Sequence, residues 1–116
     1  GILGFPVGGG GGAGFTGIPP STVYPGGNGG GDLIIVCRTF VLNSGGAVRA
    51  EGLNGAGAVG SGGGGGGGGG VVVIDALTIA NNGTISVAGG AGGPGNYETA
   101  GNGGTGCKLI VQRGLR

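Results

Sequence analysis

G-G-G-G-G-G-G-G-G-V-V-V-I-D-A-L-T-I-A, residues 62–80, is the stretch on which the reading of this chain turns. A polyglycine run ordinarily marks a flexible linker. Here it passes without a break into Val71-Val72-Val73-Ile74, where β-branched side chains favour a strand. The same order returns further on: an interrupted glycine tract from Gly89 to Gly106 leads into Leu109-Ile110-Val111. Glycine tract followed by apolar strand is therefore a repeating unit, and the repetition argues against a linker.

Working outward, Val71 to Ala80 leads to a turn at Asn81-Asn82-Gly83 and then to Thr84-Ile85-Ser86-Val87-Ala88. Alternation places Ile85 and Val87 on one face of that short segment. Upstream, Leu33 to Leu42 is a mostly apolar run whose flanking glycines favour strand over helix. It meets the turn Asn43-Ser44-Gly45-Gly46, and Ala47 to Glu51 reads as a second short strand. At an offset of 38 residues Leu33 falls on Val71, Val36 on Ile74, Val41 on Ile79, Asn43 on Asn81 and Gly45 on Gly83. Leu109, Ile110 and Val111 fall on Val71, Val72 and Val73 at the same offset. Between Ala47 and Glu51 a one-residue shift is needed, which pairs Val48 with Val87. Two full repeats with a partial repeat at each end predict a stacked architecture.

The expected fold is one all-β domain over residues 1–116, with glycine spans 1–31, 53–70 and 89–106 and strand blocks 32–52, 71–88 and 107–113. Repeated β-strands stack in a sheet, and glycine-rich, polyglycine-II-like segments form a second layer. Polyglycine II has about three residues per turn and a rise of about 3.1 Å, with no internal hydrogen bonds, so it needs neighbours. Glycines three apart at Gly8, Gly11, Gly14 and Gly17, and again at Gly57, Gly60 and Gly63, suit such a helix. Prolines between Ile18 and Pro25 predict an extended loop.

Composition sets the energetic problem. Glycine supplies 40 of 116 residues and charged residues only 8%, which departs from the polar, highly charged disordered chain. Five Lys and Arg make no basic stripe, so no nucleic-acid partner is expected. No apolar run is long enough for a membrane-spanning helix. With five aromatics the side-chain core is small, yet the glycine backbone entropy must be overcome. Dense backbone hydrogen bonding and burial against neighbouring subunits are the two remedies. The start at Gly1, without Met and inside a glycine pattern, points to a processed form or a fragment.

Little catalytic chemistry is expected. The chain has no His, the commonest general base and metal ligand. Asp32, Glu51, Asp75 and Glu98 are widely spaced, and two cysteines without His make no zinc signature. Gly103 to Lys108, G-G-T-G-C-K, lacks the ending of a phosphate loop and leads into a strand. The expectation is a non-enzyme with no catalytic, metal or cofactor-binding residue and no cofactor. Cys37 and Cys107 are candidates for a disulfide within or between chains. Asn82-Gly83-Thr84 fits a glycosylation sequon at Asn82, although Asn-Gly is first of all a turn signal. Arg38 and Asp75 are near enough in the repeat alignment to pair across strands. Tyr24 and Tyr97 are read as packing against glycine backbone or a neighbouring subunit.

The block Ile79-Ala80-Asn81-Asn82-Gly83-Thr84-Ile85-Ser86-Val87-Ala88-Gly89-Gly90, set between glycine tracts, resembles repeats of bacterial cell-surface proteins and phage tail fibres. The resemblance implies packed polyglycine helices. Collagen is a poorer match because no strict G-X-Y period runs through the chain.

The function expected is an extracellular structural subunit that self-assembles into a filament or surface layer. The strand positions Leu33, Ile35, Val41, Val71, Val73, Ile79, Leu109 and Val111 would carry assembly. The chain would then be its own partner, as a homo-oligomer or polymer, at a cell surface or virion surface. The alternative is a receptor-binding adhesin module whose loops, such as Ile18 to Pro25 and Pro94 to Thr99, contact a surface glycan or receptor. An ice-binding face ranks last, since Thr78 and Thr84 do not recur at matching positions in the first block.

Overall fold

A computed structural model of the chain describes residues 9–15, 23–57, 62–95 and 99–114, and among these described residues seven strands and no helix make up the regular structure. The long apolar runs form the strands expected of them: β3 spans Asp32–Leu42, β5 spans Val71–Asn81 and β7 spans Cys107–Gln112. Short strands follow the first two, β4 at Ala47–Arg49 and β6 at Thr84–Ser86. Each is reached through the turn that the sequence marks. Gly46 N–H closes on Asn43 O at 2.9 Å, and Gly45 takes φ 84°, where glycine escapes the Cβ penalty. In the second turn the Asn81 side chain accepts from Gly83 N–H at 3.1 Å, a local bond typical of Asn at turns.

β3, β5 and β7 form one parallel sheet in that order, and β4 and β6 pair in parallel as a second. Successive strand–turn–strand units thus lie side by side in the same direction. A small antiparallel pair, β1 (Gly14–Phe15) with β2 (Val23–Tyr24), lies in the first glycine span. The expected loop over Ile18 to Pro25 is therefore corrected at Val23–Tyr24, and its residues 18–22 lie outside the described residues.

Pairing corrects the register drawn from sequence. Residue n of β3 pairs with n+39, as Leu33 with Val72 and Ile35 with Ile74, not with n+38. β4 pairs with β6 at n+37, as Val48 with Ile85, so the expected match of Val48 to Val87 does not form. β7 pairs at n+36, with Leu109 opposite Val73 rather than Val71. A one-residue slip exchanges the faces of a strand, so these differences decide which side chains face inward.

The core lies between the two sheets. Val72 and Ile74 of β5 are 0% exposed, and Ile85 of β6, Val87 and Ala50 close over them. Ile35, Phe40 and Leu42 of β3, Val48 of β4 and Ile79 of β5 pack around this cluster. The inward set moves from Ile35 and Cys37 to Phe40 and Leu42 along β3, and from Ile74 and Ala76 to Ile79 along β5. Both strands change phase at the same level, at Arg38 and Leu77, where the ladder omits a pair. Because the irregularity is shared, the register continues unbroken on either side. No helix of the described residues is long and apolar enough to cross a membrane, which says nothing of a β-barrel.

Candidate functional site

Two features stand out among the described residues: the outer face of the long sheet and the hydrogen-bonded glycine segments that lead into its strands. On the outer face stand Ile34 at 48% exposed, Val36 at 75%, Val41 at 56% and Leu109 at 54%. Val73 and Val111 lie between them, half-buried. Parallel sheets are ordinarily covered on both faces, and this one is covered on one side only among the described residues. Its outer edges, along β3 and β7, also pair with no described strand. Ile110 lies next to Ile74 on the inward side yet is 41% exposed, and among the described residues no short strand lies over it as β6 lies over β5.

Polar pairs mark the rungs of the outer face. Asp75 accepts from Arg113 at Nε and Nη2, at 2.6 and 2.7 Å. The expected Arg38–Asp75 pair is corrected: Asp75 lies opposite Val36, and Arg113 follows β7 onto the same level through its N–H to Ala76 O. Thr78 donates to Thr39 at 3.2 Å across the β3–β5 junction. The Arg113 hydrogen bonds hold the Asp75 carboxyl below its ordinary value of 3.8. A carboxyl with a depressed native pKa stabilises the fold fully above its unfolded pKa and loses that contribution as pH falls through the native one. The melting-temperature difference between the native chain and Asp75→Asn is therefore expected to be small at neutral pH, given the exposed Arg113. It should close as pH drops below 3.8. A difference that grows with acid would contradict the assignment.

The glycine segments are joined by backbone bonds in a three-residue rhythm. Within Gly62–Gly70, the N–H groups of Gly64, Gly67 and Gly70 donate to Ala56, Leu53 and Ala50. Those of Gly65 and Gly68 donate to Gly12 and Gly9, and those of Gly66 and Gly69 to Gly101 and Gly104. Carbonyls follow the same spacing: Gly65 and Gly68 accept from Gly27 and Gly30, and Gly64 and Gly67 accept from Gly93 and Gly90. The run thus bonds to five separate segments. These neighbours also bond to each other in sequence around it, 9–12 to 26–31, then to 50–56, then to 87–93, then to 100–106.

The sequence-derived assembly positions divide on this structure. Leu33, Val41 and Leu109 are exposed, and Val73 and Val111 are half-buried on the outer face. Val71 is only 6% exposed, and Ile35 and Ile79 pack on the core, so these three are interior residues rather than contact residues. Ile34 and Val36, the clearest outward positions of β3, escaped sequence reasoning. In the unbroken run Leu33-Ile34-Ile35-Val36 no alternation marks the outward side. Cys37 lies opposite Ala76 and Cys107 opposite Val71, with β5 between them. That separation excludes a disulfide within the chain, and both thiols are free. Asn82 sits exposed in its turn, as a sequon would require. Tyr24 is half-buried, and Tyr97 lies outside the described residues.

Comparison with protein-family models, with curated proteins and with solved structures finds no match to this chain.

Proposed function

We propose that this chain is a structural subunit of an extracellular assembly, built by repetition of its own strand–turn–strand–glycine unit through sheet edges and glycine-packed faces. The observation that carries the reading is the apolar outer face of a parallel sheet that no described residue covers and whose two edges pair with no described strand. Such edges are templates for chain-to-chain pairing. Apolar faces of this kind mark interaction surfaces. Contacts that repeat head to tail without closing give filaments.

In this reading the chain is a short repeat array whose glycine segments are polyglycine-II-like; the second layer expected of them over the sheet gives way to a layer in line with the strands, a change supported by the Val71 N–H bond to Gly31 O and the Cys107 N–H bond to Gly70 O. The three-residue spacing of the donors supports that reading. Principal extents of 66 × 37 × 16 Å support a thin slab, since packed sheets stand about 10 Å apart.

Electron microscopy of the purified chain tests the proposal. Filaments or sheets with a regular repeat are expected, and they should be lost in Val36→Glu, which sets a charge on the outer face. Discrete particles of one or a few chains would overturn the polymer and favour the adhesin module.

A further inference from the structure

A helix with about three residues per turn, each bearing one N–H and one C=O, has three rows of donors and three rows of acceptors. In Gly62–Gly70 all three donor rows are used, and two of the acceptor rows. The remaining row consists of Gly63, Gly66 and Gly69, whose carbonyls accept no backbone bond from any described residue. Going round the run, neighbouring segments bond to one another from 9–12 through to 100–106, and among the described residues no backbone bond closes the circuit between those two. A groove of about 510 Å³ lies at that opening, with Gly9 and Gly10 on one wall, Gly66 and Gly69 on its floor and Gly103 and Gly104 on the other wall.

We infer that this groove seats an extended glycine segment, residues 9–12, of a second copy of this chain. The chemistry is selective. The floor and walls are mostly backbone, and each segment already seated there approaches so closely that a side chain is excluded at its contact glycines. A Cβ at Gly11 would lie 1.8 Å from Gly65 O, and one at Gly103 would lie 2.0 Å from Gly67 O. An occupant must therefore offer glycine at the contact and N–H donors three residues apart. Segment 9–12 offers both. Its Gly9 and Gly12 N–H groups donate to no described backbone group, and open space lies at both Cβ positions. The spacing matches the Gly66 and Gly69 acceptors. Groove and donor segment lie side by side on one copy, so a two-fold axis along the segments lets each copy fill the other's groove.

The inference rests on the self-assembly reading but names a different contact from the sheet face. It is tested with Gly104→Leu. A Cβ there meets nothing within 4 Å and Gly104 lines the groove, so the substitution adds bulk at the groove wall without a clash inside the chain. Gly31→Leu, equally open but away from the groove, is the comparison. Light scattering reads association, melting temperature reads folding, and alkylation of Cys107, an exposed thiol lining the groove, reads its occupancy. The expected result is concentration-dependent association of the native chain and of Gly31→Leu, with Cys107 protected. Gly104→Leu should keep its melting temperature, associate at least ~10-fold more weakly and react freely at Cys107. If Gly104→Leu associates as the native chain does and Cys107 stays reactive throughout, the groove assignment is overturned while assembly through the sheet stands. A native chain that remains a monomer at every concentration overturns both.

Discussion

Gly69→Ala is expected to unfold the protein or leave it barely stable, whereas Gly104→Ala should be neutral or slightly stabilising. The two glycines are joined by one hydrogen bond, Gly69 N–H to Gly104 O at 2.9 Å, so the contrast isolates the space around each Cα. A Cβ on Gly69 would lie 1.8 Å from Val87 O and 2.7 Å from Gly106 N, which are joined by a hydrogen bond of their own. Both obstacles are backbone, so no rotamer change relieves the clash. The segments must part, and each backbone bond lost there removes about 1 kcal/mol net, with more for groups left buried and unpaired. Overpacking adds a further ~1–3 kcal/mol. A loss of about 4 kcal/mol or more consumes most of the stability of a small domain. At Gly104 the Cβ points into open space and φ lies outside the left-handed region, so alanine chiefly lowers unfolded-state entropy, a gain of up to ~1 kcal/mol. Thermal or urea unfolding of both variants checks this. Equal behaviour would show that the close approach at Gly69 is absent in solution.

Ile74→Ala should cost about 2–5 kcal/mol, the range for deleting a fully buried aliphatic side chain that leaves a cavity. Ile74 is 0% exposed and sits where β5 faces β6, against Ile85 and Val87. With so few buried side chains, little neighbouring material can collapse into the space. Each kcal/mol corresponds to a melting-temperature shift of several degrees in a chain this short, about 4–8 °C for small domains. Val36→Ala removes a side chain that is 75% exposed and should leave the melting temperature of the dissociated chain almost unchanged. A mild effect at Ile74 would mean that the glycine lattice alone holds the fold, with the side-chain core contributing little.

Much of the strand content was legible in the residues themselves. β-branched runs bounded by glycine at Leu33–Leu42 and Val71–Ala80, with Asn-Gly or Ser-Gly turns after them, specify extended backbone and reversal through local preferences that need no partner. The return of the same order along the chain pointed to side-by-side stacking, and β3, β5 and β7 do lie parallel and adjacent. Pairing register and facing were not legible. In a strand apolar on both sides, neighbouring registers bury similar side chains, so Leu33 could sit beside Val71 or Val72 with little local difference. The choice falls to distant constraints: the packing of Ile74 against Ile85, the shared change of phase at Arg38 and Leu77, and the bonds that align Gly64, Gly67 and Gly70 with Ala56, Leu53 and Ala50. The same holds for Asp75, whose partner Arg113 arrives only through the β5–β7 ladder. Glycine carries no side chain to announce its neighbours. Residue identity thus specifies where backbone can approach closely, and only the folded chain decides which segments do so and which row of carbonyls accepts from no described residue.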